Sequence, residues 1–384
     1  MHGGTQAQVS DRPLRIAMVI DSWDDAANGA VISTRRFTEL LRAQGHTVTI
    51  LAAGAPAPGK VVLRPFYIPF ANNIMRKMRL PFAWPTPAIL DATIAQQDVI
   101  HVQFPFYLGI KAITTAKRLG KPVVSSFHVQ AEHLLYNIGV RNQGWVERVY
   151  RFFLRTIYSR SDIVVCPSAF AERELKTRGL TVPTEVISNG VPADFRPVPK
   201  GGTPDFGDRF VLLSVGRLAR EKRHELVIDA VRHSRHRDRI QLVILGDGPL
   251  REELEQKGSD LPVKPVFNFL GKEELIRWYG AGDLCVHASE VEVECMSVLE
   301  AQACGLPCLI ADSPRSATPQ FALSHDYLFQ SGNREDLVRK IDTLVDQPAR
   351  LLADREASVK AASAYSIEVS FAKLLGVYRR VAPG

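Results

Sequence analysis

The sequence has few cysteines and no long apolar run, and both shortages restrict its class. Its five cysteines lie mostly inside apolar segments and form no CxxC pair. We therefore expect them to be reduced core residues of a cytoplasmic protein. No apolar run approaches the ~20 residues that cross a bilayer. Residues 1–15 lack the apolar core of a signal peptide and are expected to form a short, loose tail.

Other signatures are also missing. The chain has no GxGxxG motif, which argues against a dinucleotide-dependent oxidoreductase. It has no repeat of solenoid length and no spacing typical of metal ligands. The acidic cluster at 21–25 lacks a histidine or cysteine complement, so we expect a solvated loop there. We expect neither a bound metal nor a cofactor.

The composition is that of a folded protein with anionic partners. The 384 residues suffice for two domains, and 46% of them are hydrophobic and 23% charged. The net charge is +7. By itself this charge does not choose among phosphate, nucleic acid and membrane.

Apolar runs of strand length alternate with segments of helical spacing. The first such unit has a strand at 14–20, a helix from Gly29 that ends at a glycine, and a strand at 46–52. Further apolar runs lie at 98–104, 121–127, 162–168, 209–216, 240–248, 265–271, 283–289 and 306–312. This βαβ pattern predicts an α/β protein with doubly wound parallel sheets.

A segment dense in proline and glycine, 189–208, interrupts the pattern and indicates a linker. We expect Rossmann-like domains at 1–198 and 199–367, with a C-terminal helix at about 368–384 packing on the first. A ligand is expected where the carboxyl ends of the two sheets face each other.

Four glutamates lie close together in the stretch 289–305. Glu292 precedes a segment of helical spacing that contains Glu300 and ends at Gly305. If the start of this helix faces a ligand, Glu300 could accept hydrogen bonds from ribose hydroxyls and Glu292 from a sugar. Alternatively, Glu290, Glu292 and Glu294 form one polar strand edge and Glu300 is a solvated helix position. The spacing favours neither interpretation.

A second group of polar residues follows the strand that ends at Gly216. Arg217 and Lys222 come next, and Glu221 begins the following helix. A glycine allows close approach of a ligand, and two cations at the carboxyl end of a strand suit a diphosphate. The alternative is a solvated basic loop.

Three weaker signals complete the set. His128 directly follows the apolar strand 123–127, a position that favours a ligand contact as much as a packing role. Gly29 follows the first strand and could bring a helix start close to phosphate. The segment 246–249, which begins with Gly246, is expected to form a turn and could also contact a ligand.

Together these motifs resemble the family 4 (group 1) glycosyltransferases, which have the two-domain GT-B architecture. Glu292 and Glu300 match the E-x7-E signature of that family, and the stretch 214–223 matches its diphosphate clamp. The segments 189–191, 246–249 and 279–289 are also similar. The resemblance covers nearly the whole chain.

The resemblance implies a nucleotide-diphosphate sugar donor held mainly by the C-terminal domain, transfer with retention, and no obligatory metal. It implies that Glu300 binds the ribose, Glu292 the donor sugar, and Arg217 with Lys222 the diphosphate. The catalytic set would be His128, Arg217, Lys222 and Glu292. The donor-binding set would be Gly29, Gly216, Arg217, Lys222, Gly246, Glu292, Met296, Ser297, Val298 and Glu300.

Two positions depart from the family pattern. Glu294-Cys295 stands where an apolar-glycine pair is common, and Asn28-Gly29-Ala30 stands where a double glycine is common. These changes leave the class intact and leave the donor sugar open.

Two stretches combine basic and apolar residues in a way that suits an anionic bilayer, namely 72–84 and 145–160. We favour an ordinary amphipathic helix with its apolar side in the core for the second. The segments 127–139 and 313–323 look most like the lipid-directed members of the family, the diacylglycerol glucosyltransferases.

The leading hypothesis is therefore a hexosyltransferase that moves glucose from UDP-glucose to a lipid acceptor. We expect it to be cytoplasmic, on the inner face of an anionic plasma membrane and without a nucleic-acid partner. Transfer to a soluble or polysaccharide acceptor is an alternative. A sugar-nucleotide-binding scaffold without turnover is another, although the intact set of clamp residues and glutamates argues against it.

Overall fold

The computed structural model describes residues 12–24, 29–66, 82–137, 139–199, 201 and 203–382. The chain forms two compact units. The first comprises the residues up to Ala131, Arg141–Ser188 and the residues from Ser370 onward, and the second comprises Glu132–Val140 and Asn189–Val369.

The first unit contains a seven-stranded parallel sheet. Its strands are β1 (Arg15–Ser22), β2 (Thr47–Ala53), β3 (Lys60–Val62), β6 (Val99–Val102), β7 (Val123–Ser126), β8 (Ile163–Cys166) and β9 (Thr184–Val186), and β4 (Pro65–Phe66) with β5 (Phe82–Ala83) forms a separate antiparallel pair. The order is β3-β2-β1-β6-β7-β8-β9. Its helices are α1 (Gly29–Ala43), α2 (Pro87–Ala95), α3 (Tyr107–Arg118), α5 (Gln143–Thr156) and α6 (Ala169–Lys176). Two more helices run from one unit into the other along the chain, α4 (Ala131–Asn137) and α13 (Ile367–Val381).

The second unit contains a six-stranded parallel sheet in the order β12-β11-β10-β13-β14-β15. Its strands are β10 (Phe210–Val215), β11 (Ile240–Leu245), β12 (Val266–Asn268), β13 (Leu284–His287), β14 (Cys308–Asp312) and β15 (Leu328–Gln330). Its helices are α7 (His224–His233), α8 (Arg251–Gly258), α9 (Lys272–Ala281), α10 (Met296–Ala303), α11 (Arg334–Val345) and α12 (Pro348–Ser363). The prediction of two doubly wound α/β domains is confirmed.

The central strands appear as apolar runs in the sequence because both faces of the sheet are covered. Along β10, Leu212 packs in one core cluster, whereas Val211 and Leu213 pack in another. Successive side chains point to opposite faces of a strand, so these clusters lie on the two sides of the sheet. A strand buried on both faces has no polar alternation, and this is why it appears as a continuous apolar run.

The segment predicted as a linker is partly folded. Val191 and Phe195 are buried in the core of the second unit. The backbone N–H of Val191 donates to the carbonyl of Tyr365, and the N–H of Ile367 donates to the carbonyl of Val191. Proline and glycine density thus indicated an irregular backbone here, but not an exposed one.

The two stretches considered for membrane contact have different outcomes. Most of the first, up to residue 81, lies outside the described residues, and Trp84 is 47% exposed. The second forms α5, in which Tyr150 and Phe153 are buried, as predicted for an amphipathic helix. Trp145 and Phe152 are about half exposed, which the pattern did not indicate. Within the part of the chain that the structure describes, no helix is long and apolar enough to span a bilayer.

Candidate active site

A cationic loop follows the first strand of the second unit. Gly216, directly after β10, has φ +150°, a conformation that favours glycine. Arg220–Lys222 then form one 3-10 turn before α7 begins. The Lys222 side chain folds back over Gly216, since a Cβ built there would lie 3.7 Å from the Lys222 Cδ. The loop therefore places the lysine at the carboxyl end of the sheet.

Lys222 and Glu292 form a largely buried ion pair, although 70 positions separate them. Their side chains are only 17% and 8% exposed. Burial opposes both charges, but their mutual attraction outweighs it. The pKa of Lys222 is therefore raised, and the pKa of Glu292 is lowered with help from a hydrogen bond with His287. Both groups are charged at neutral pH.

Hydrogen bonds join the cationic loop, which contains Glu221, to the loop that follows β13 and contains Glu290 and Glu292. The carbonyl of Glu221 accepts from the N–H of Glu290 (3.0 Å) and from the Ser289 hydroxyl (3.1 Å). The N–H of Ala317 donates to the carbonyl of Glu292 at 2.8 Å. The position of the Glu292 carboxylate is therefore fixed by its backbone as well as by its ion pair.

The three alternating glutamates are not a polar strand edge, so that alternative is wrong. Glu290, Glu292 and Glu294 are 8%, 6% and 5% exposed. Glu290 pairs with Arg223, and Glu294 accepts from the backbone N–H of Asn189 at 3.0 Å and from its side-chain amide at 2.6 Å. A buried carboxylate needs such partners, and each glutamate has a different one.

His287 and Cys295 belong to this cluster, and sequence reasoning missed both. His287 Nε2 lies 3.3 Å from Glu292 Oε1 and 3.3 Å from Cys295 Sγ. Burial disfavours the imidazolium, but Cys295 and Glu292 outweigh it and raise the pKa of His287 to about 10. The available signal was the position of His287 at the end of β13, the same signal that had singled out His128.

Helix α10 presents its first turn next to this cluster. Met296 and Ser297 are half-buried, Val298 is buried, and Glu300 is half-buried one turn into the helix. Glu300 is therefore not a fully solvated helix position. The Tyr279 hydroxyl donates to the Ser297 carbonyl at 3.3 Å. Gly305 has φ +79° just after the helix end, which confirms the predicted stop.

Gly246 packs against the cationic loop. A Cβ at Gly246 would lie 1.9 Å from the Gly216 carbonyl oxygen, and one at Gly248 would lie 2.5 Å from that of Leu218. The N–H of Leu218 donates to the Asp247 carbonyl at 3.0 Å. The chain itself therefore requires glycine at both positions because of this close backbone packing. Neither glycine has a positive φ, so the predicted turn chemistry is not the reason for them.

Arg217, the residue after Gly216 in the cationic loop, is half-buried. Its backbone carbonyl is contacted by His224, the first residue of α7. His224 Nε2 lies 3.3 Å from the Arg217 carbonyl, and His224 Nδ1 lies 2.9 Å from the Ser214 hydroxyl. Burial and the charge of Lys222 lower the pKa of His224 to about 3, so it is neutral. His133 contacts the loop that carries Glu290 and Glu292, since its Nε2 lies 3.0 Å from the carbonyl oxygen of Val291.

His128 lies in the first unit, after β7 as predicted. Its Nε2 lies 3.1 Å from Gln103 Oε1, which can only accept, so Nε2 carries the proton. The Thr34 hydroxyl contacts the same oxygen at 3.3 Å. Burial lowers the pKa of His128 to about 4. The ring is therefore a neutral, oriented hydrogen-bonding group at pH 7.

The loop predicted as solvated acidic residues at 21–25 begins with a buried one. Asp21 is 3% exposed and accepts a hydrogen bond from the Ala83 N–H at 3.2 Å. Burial raises its pKa to about 7. Gly29 is the first residue of α1, and a Cβ there would meet nothing within 4 Å. Its contact with phosphate stays a prediction.

The structure thus brings Gly216, Lys222, Gly246 and Glu292 together and sets the first turn of α10 beside them. Residues 27–195 match the Glycosyltransferase Family 4 profile, and residues 200–363 match that of the Glycosyl transferases group 1. The chain belongs to the group 1 glycosyltransferases of family 4. It is therefore a glycosyltransferase that uses a nucleotide sugar.

The relatives act on different substrates. A GDP-mannose-dependent alpha-mannosyltransferase of Corynebacterium glutamicum is 29% identical over 80% of this chain and 74% of its own. The alpha-monoglucosyldiacylglycerol synthase of Streptococcus pneumoniae is 27% identical over 78% and 72%. Anabaena HepE in complex with UDP-glucose has a TM-score of 0.72 at 16% identity, covering 95% of this chain and 100% of HepE. At that identity the likeness shows the fold alone, and the fold is GT-B.

Proposed function

We propose that this glycosyltransferase transfers glucose from UDP-glucose to a lipid acceptor such as diacylglycerol, with retention of configuration and without a metal. The second unit would bind the donor and the first the acceptor. The relationship to the pneumococcal synthase supports the glucose donor and the lipid acceptor. The relationship to the corynebacterial mannosyltransferase supports GDP-mannose as a second candidate donor.

The observation that supports this function most is the buried pair of Lys222 and Glu292 beside Gly216. Breaking the bond between sugar and diphosphate leaves negative charge on the β-phosphate. A fixed, desolvated cation and the N–H groups at the start of a helix stabilise such charge as it forms. In the proposed mechanism the diphosphate replaces Glu292 as the ion-pair partner of Lys222, and Arg217 provides the second cation.

The release of Lys222 frees the Glu292 carboxylate for the donor sugar. A carboxylate near the reacting carbon also favours an oxocarbenium-like transition state by its charge. Glu300, one turn into α10, would accept from the ribose hydroxyls, and Met296, Ser297 and Val298 would contact the phosphate through the start of the helix.

His128 would contribute a hydrogen bond rather than a proton. Its low pKa keeps the ring neutral, and the hydrogen bond to Gln103 fixes its orientation. The remaining ring nitrogen, Nδ1, could then accept a hydrogen bond from a sugar hydroxyl, and the neutral ring would add no charge that competes with the oxocarbenium ion.

One feature of the first unit supports a membrane lipid over a soluble acceptor, and the net charge of +7 is compatible with it. The helix α5 exposes Trp145 and Phe152 beside the exposed cations Arg148, Arg151 and Arg155. Amphipathic aromatic side chains with adjacent cations suit the interface of an anionic bilayer, so we propose a peripheral position on the cytoplasmic face of a membrane.

The decisive experiment measures the release of nucleotide diphosphate. UDP-glucose and GDP-mannose are each offered with anionic vesicles containing diacylglycerol, with neutral vesicles, and with a soluble saccharide, each with and without EDTA. We expect release with UDP-glucose on the anionic vesicles, unaffected by EDTA, and an α-linked product by NMR. Release only with GDP-mannose would replace the donor, and release only with the saccharide would overturn the lipid acceptor. Donor binding without release under all conditions would favour the scaffold.

A further inference from the structure

We propose that His287, Glu292 and Cys295 form a binding site for a thiophilic divalent cation such as Zn²⁺, and that the bound ion competes with the sugar nucleotide for Glu292. The three donor atoms lie within 4.8 Å of one another, and all three residues are buried. The ion takes no part in the proposed transfer reaction. Its binding is independent of the proposed function, whereas the competition rests on it.

The spacing of the donor atoms matches a zinc site. Zinc binds imidazole nitrogen at about 2.0 Å, carboxylate oxygen at about 2.0 Å and thiolate sulfur at about 2.3 Å in a tetrahedron. Neighbouring ligand atoms are then about 3.3 Å apart for nitrogen and oxygen and about 3.5 Å for nitrogen and sulfur. The His287 Nε2 is 3.3 Å from Glu292 Oε1 and 3.3 Å from Cys295 Sγ.

The backbone that carries the three ligands is ordered by its own contacts. His287 is the last residue of β13, and Cys295 immediately precedes α10. The loop between them is held by the hydrogen bond from the Ala317 N–H to the Glu292 carbonyl. The Ser297 hydroxyl lies 3.3 Å from Cys295 Sγ. Three protein ligands with one exchangeable position are typical of zinc in enzymes.

The charges of the cluster also suit a divalent ion. The Glu292 carboxylate and the Cys295 thiolate would supply two negative charges. Because metal ligands bind in their deprotonated form, the ion would displace the protons of the Cys295 thiol and of the His287 imidazolium. Lys222 contacts the same carboxylate, so ion and lysine would compete for Glu292. With the ion bound, Glu292 is no longer available to the donor sugar. Zinc would therefore inhibit this enzyme competitively with the donor.

The test uses Co²⁺ as a spectroscopic probe on the untagged full-length protein, with the cysteines kept reduced by a phosphine. We expect one equivalent of Co²⁺ to produce a sulfur-to-cobalt charge-transfer band, which Zn²⁺ then abolishes. Calorimetry should show that Zn²⁺ weakens the binding of UDP-glucose. Binding of the metal is measured without nucleotide and binding of UDP-glucose without metal, so failure of one does not conceal the other.

The matched variants are Cys295→Ala and Cys304→Ala, because both cysteines are buried in the same unit but only the first belongs to the cluster. Cys295→Ala should remove the charge-transfer band and weaken Co²⁺ binding by more than about 100-fold, the upper effect of losing a second-shell partner alone. Cys304→Ala should bind Co²⁺ as the native protein does.

The binding of UDP-glucose to Cys295→Ala, measured first without metal, should be insensitive to Zn²⁺. Chelation of zinc by the nucleotide would instead affect native protein and variant equally. His287→Gln, read by the same titration, replaces Cys295→Ala if that variant does not fold. Absence of the band in native protein, or equal Co²⁺ affinity in native protein and Cys295→Ala, would overturn the site.

Discussion

The pair of Lys222 and Glu292 predicts a specific pattern of stability in a double-mutant cycle. Removing one partner of a buried ion pair typically costs 3–5 kcal/mol, because the other charge stays buried without compensation. Lys222→Met should fall at the low end of this range, about 3 kcal/mol, because His287 lies 3.3 Å from the same carboxylate oxygen and still compensates it. Glu292→Gln should cost about 5 kcal/mol, since it leaves two cations, Lys222 and His287, facing a neutral amide.

The double variant Lys222→Met/Glu292→Gln removes both charges and should cost less than the sum of the single changes. We expect a coupling energy of about 2–3 kcal/mol, the upper part of the range for residues in contact. Hydrogen exchange of the β13 and β14 amides measures the opening of the second unit without a contribution from the first. Leu352→Ala serves as a control, since its side chain is 71% exposed and its change should be near neutral. Additive single effects, within about 0.5 kcal/mol, would contradict a direct interaction.

Four further predictions follow from other residues. Arg217→Ala should lower kcat by about 10²–10³-fold with unchanged melting, as for the loss of one preorganised donor, and near-normal turnover would remove Arg217 from the clamp. Glu300→Gln should weaken UDP binding in calorimetry by about 1.5–3 kcal/mol, and equal affinity would argue against a ribose contact. Burial and the charge of His128 lower the pKa of His101 to about 3. Below pH 6.5 this histidine therefore binds a proton in the unfolded chain but not in the folded chain. The free energy of unfolding should therefore fall from pH 6.5 towards pH 4. His101→Gln should reduce the slope of this fall by about 1.4 kcal/mol per pH unit. Equal slopes in native protein and variant would contradict the lowered pKa of His101. Gly246→Ala should disrupt the cationic loop and abolish UDP binding, because its Cβ would lie 1.9 Å from the carbonyl oxygen of Gly216.

The fold could be predicted from the sequence because its signals are local. The inner parallel strands are covered on both faces, so an apolar run such as 240–245 indicates a strand without knowledge of its neighbours. The stop of α10 was equally local, since Gly305 alone supplies the left-handed conformation that ends the helix.

The environment of single side chains was not predictable in this way. Asp21 is buried because β5, about sixty positions later in the chain, covers it and donates a hydrogen bond. His287 and Cys295 have no motif spacing, and they meet only because the loop between β13 and α10 folds back. Glu292 and Glu300 were singled out by their spacing and then matched a family signature, but the partner of Glu292 required the structure.

The path of α13 has a consequence for the order in which this protein can fold during synthesis. The hydroxyl of Tyr378, a fully buried residue, lies 2.6 Å from Nδ1 of His101, and 277 positions separate the two residues. At about 5–20 residues per second, roughly 15–55 s pass on the ribosome before the tyrosine follows the histidine. The sheet of the first unit is complete at residue 186, yet this unit lacks one of its buried aromatic side chains until Tyr378 has been made. We therefore expect the first unit to reach its native packing only after α13 has emerged from the ribosome.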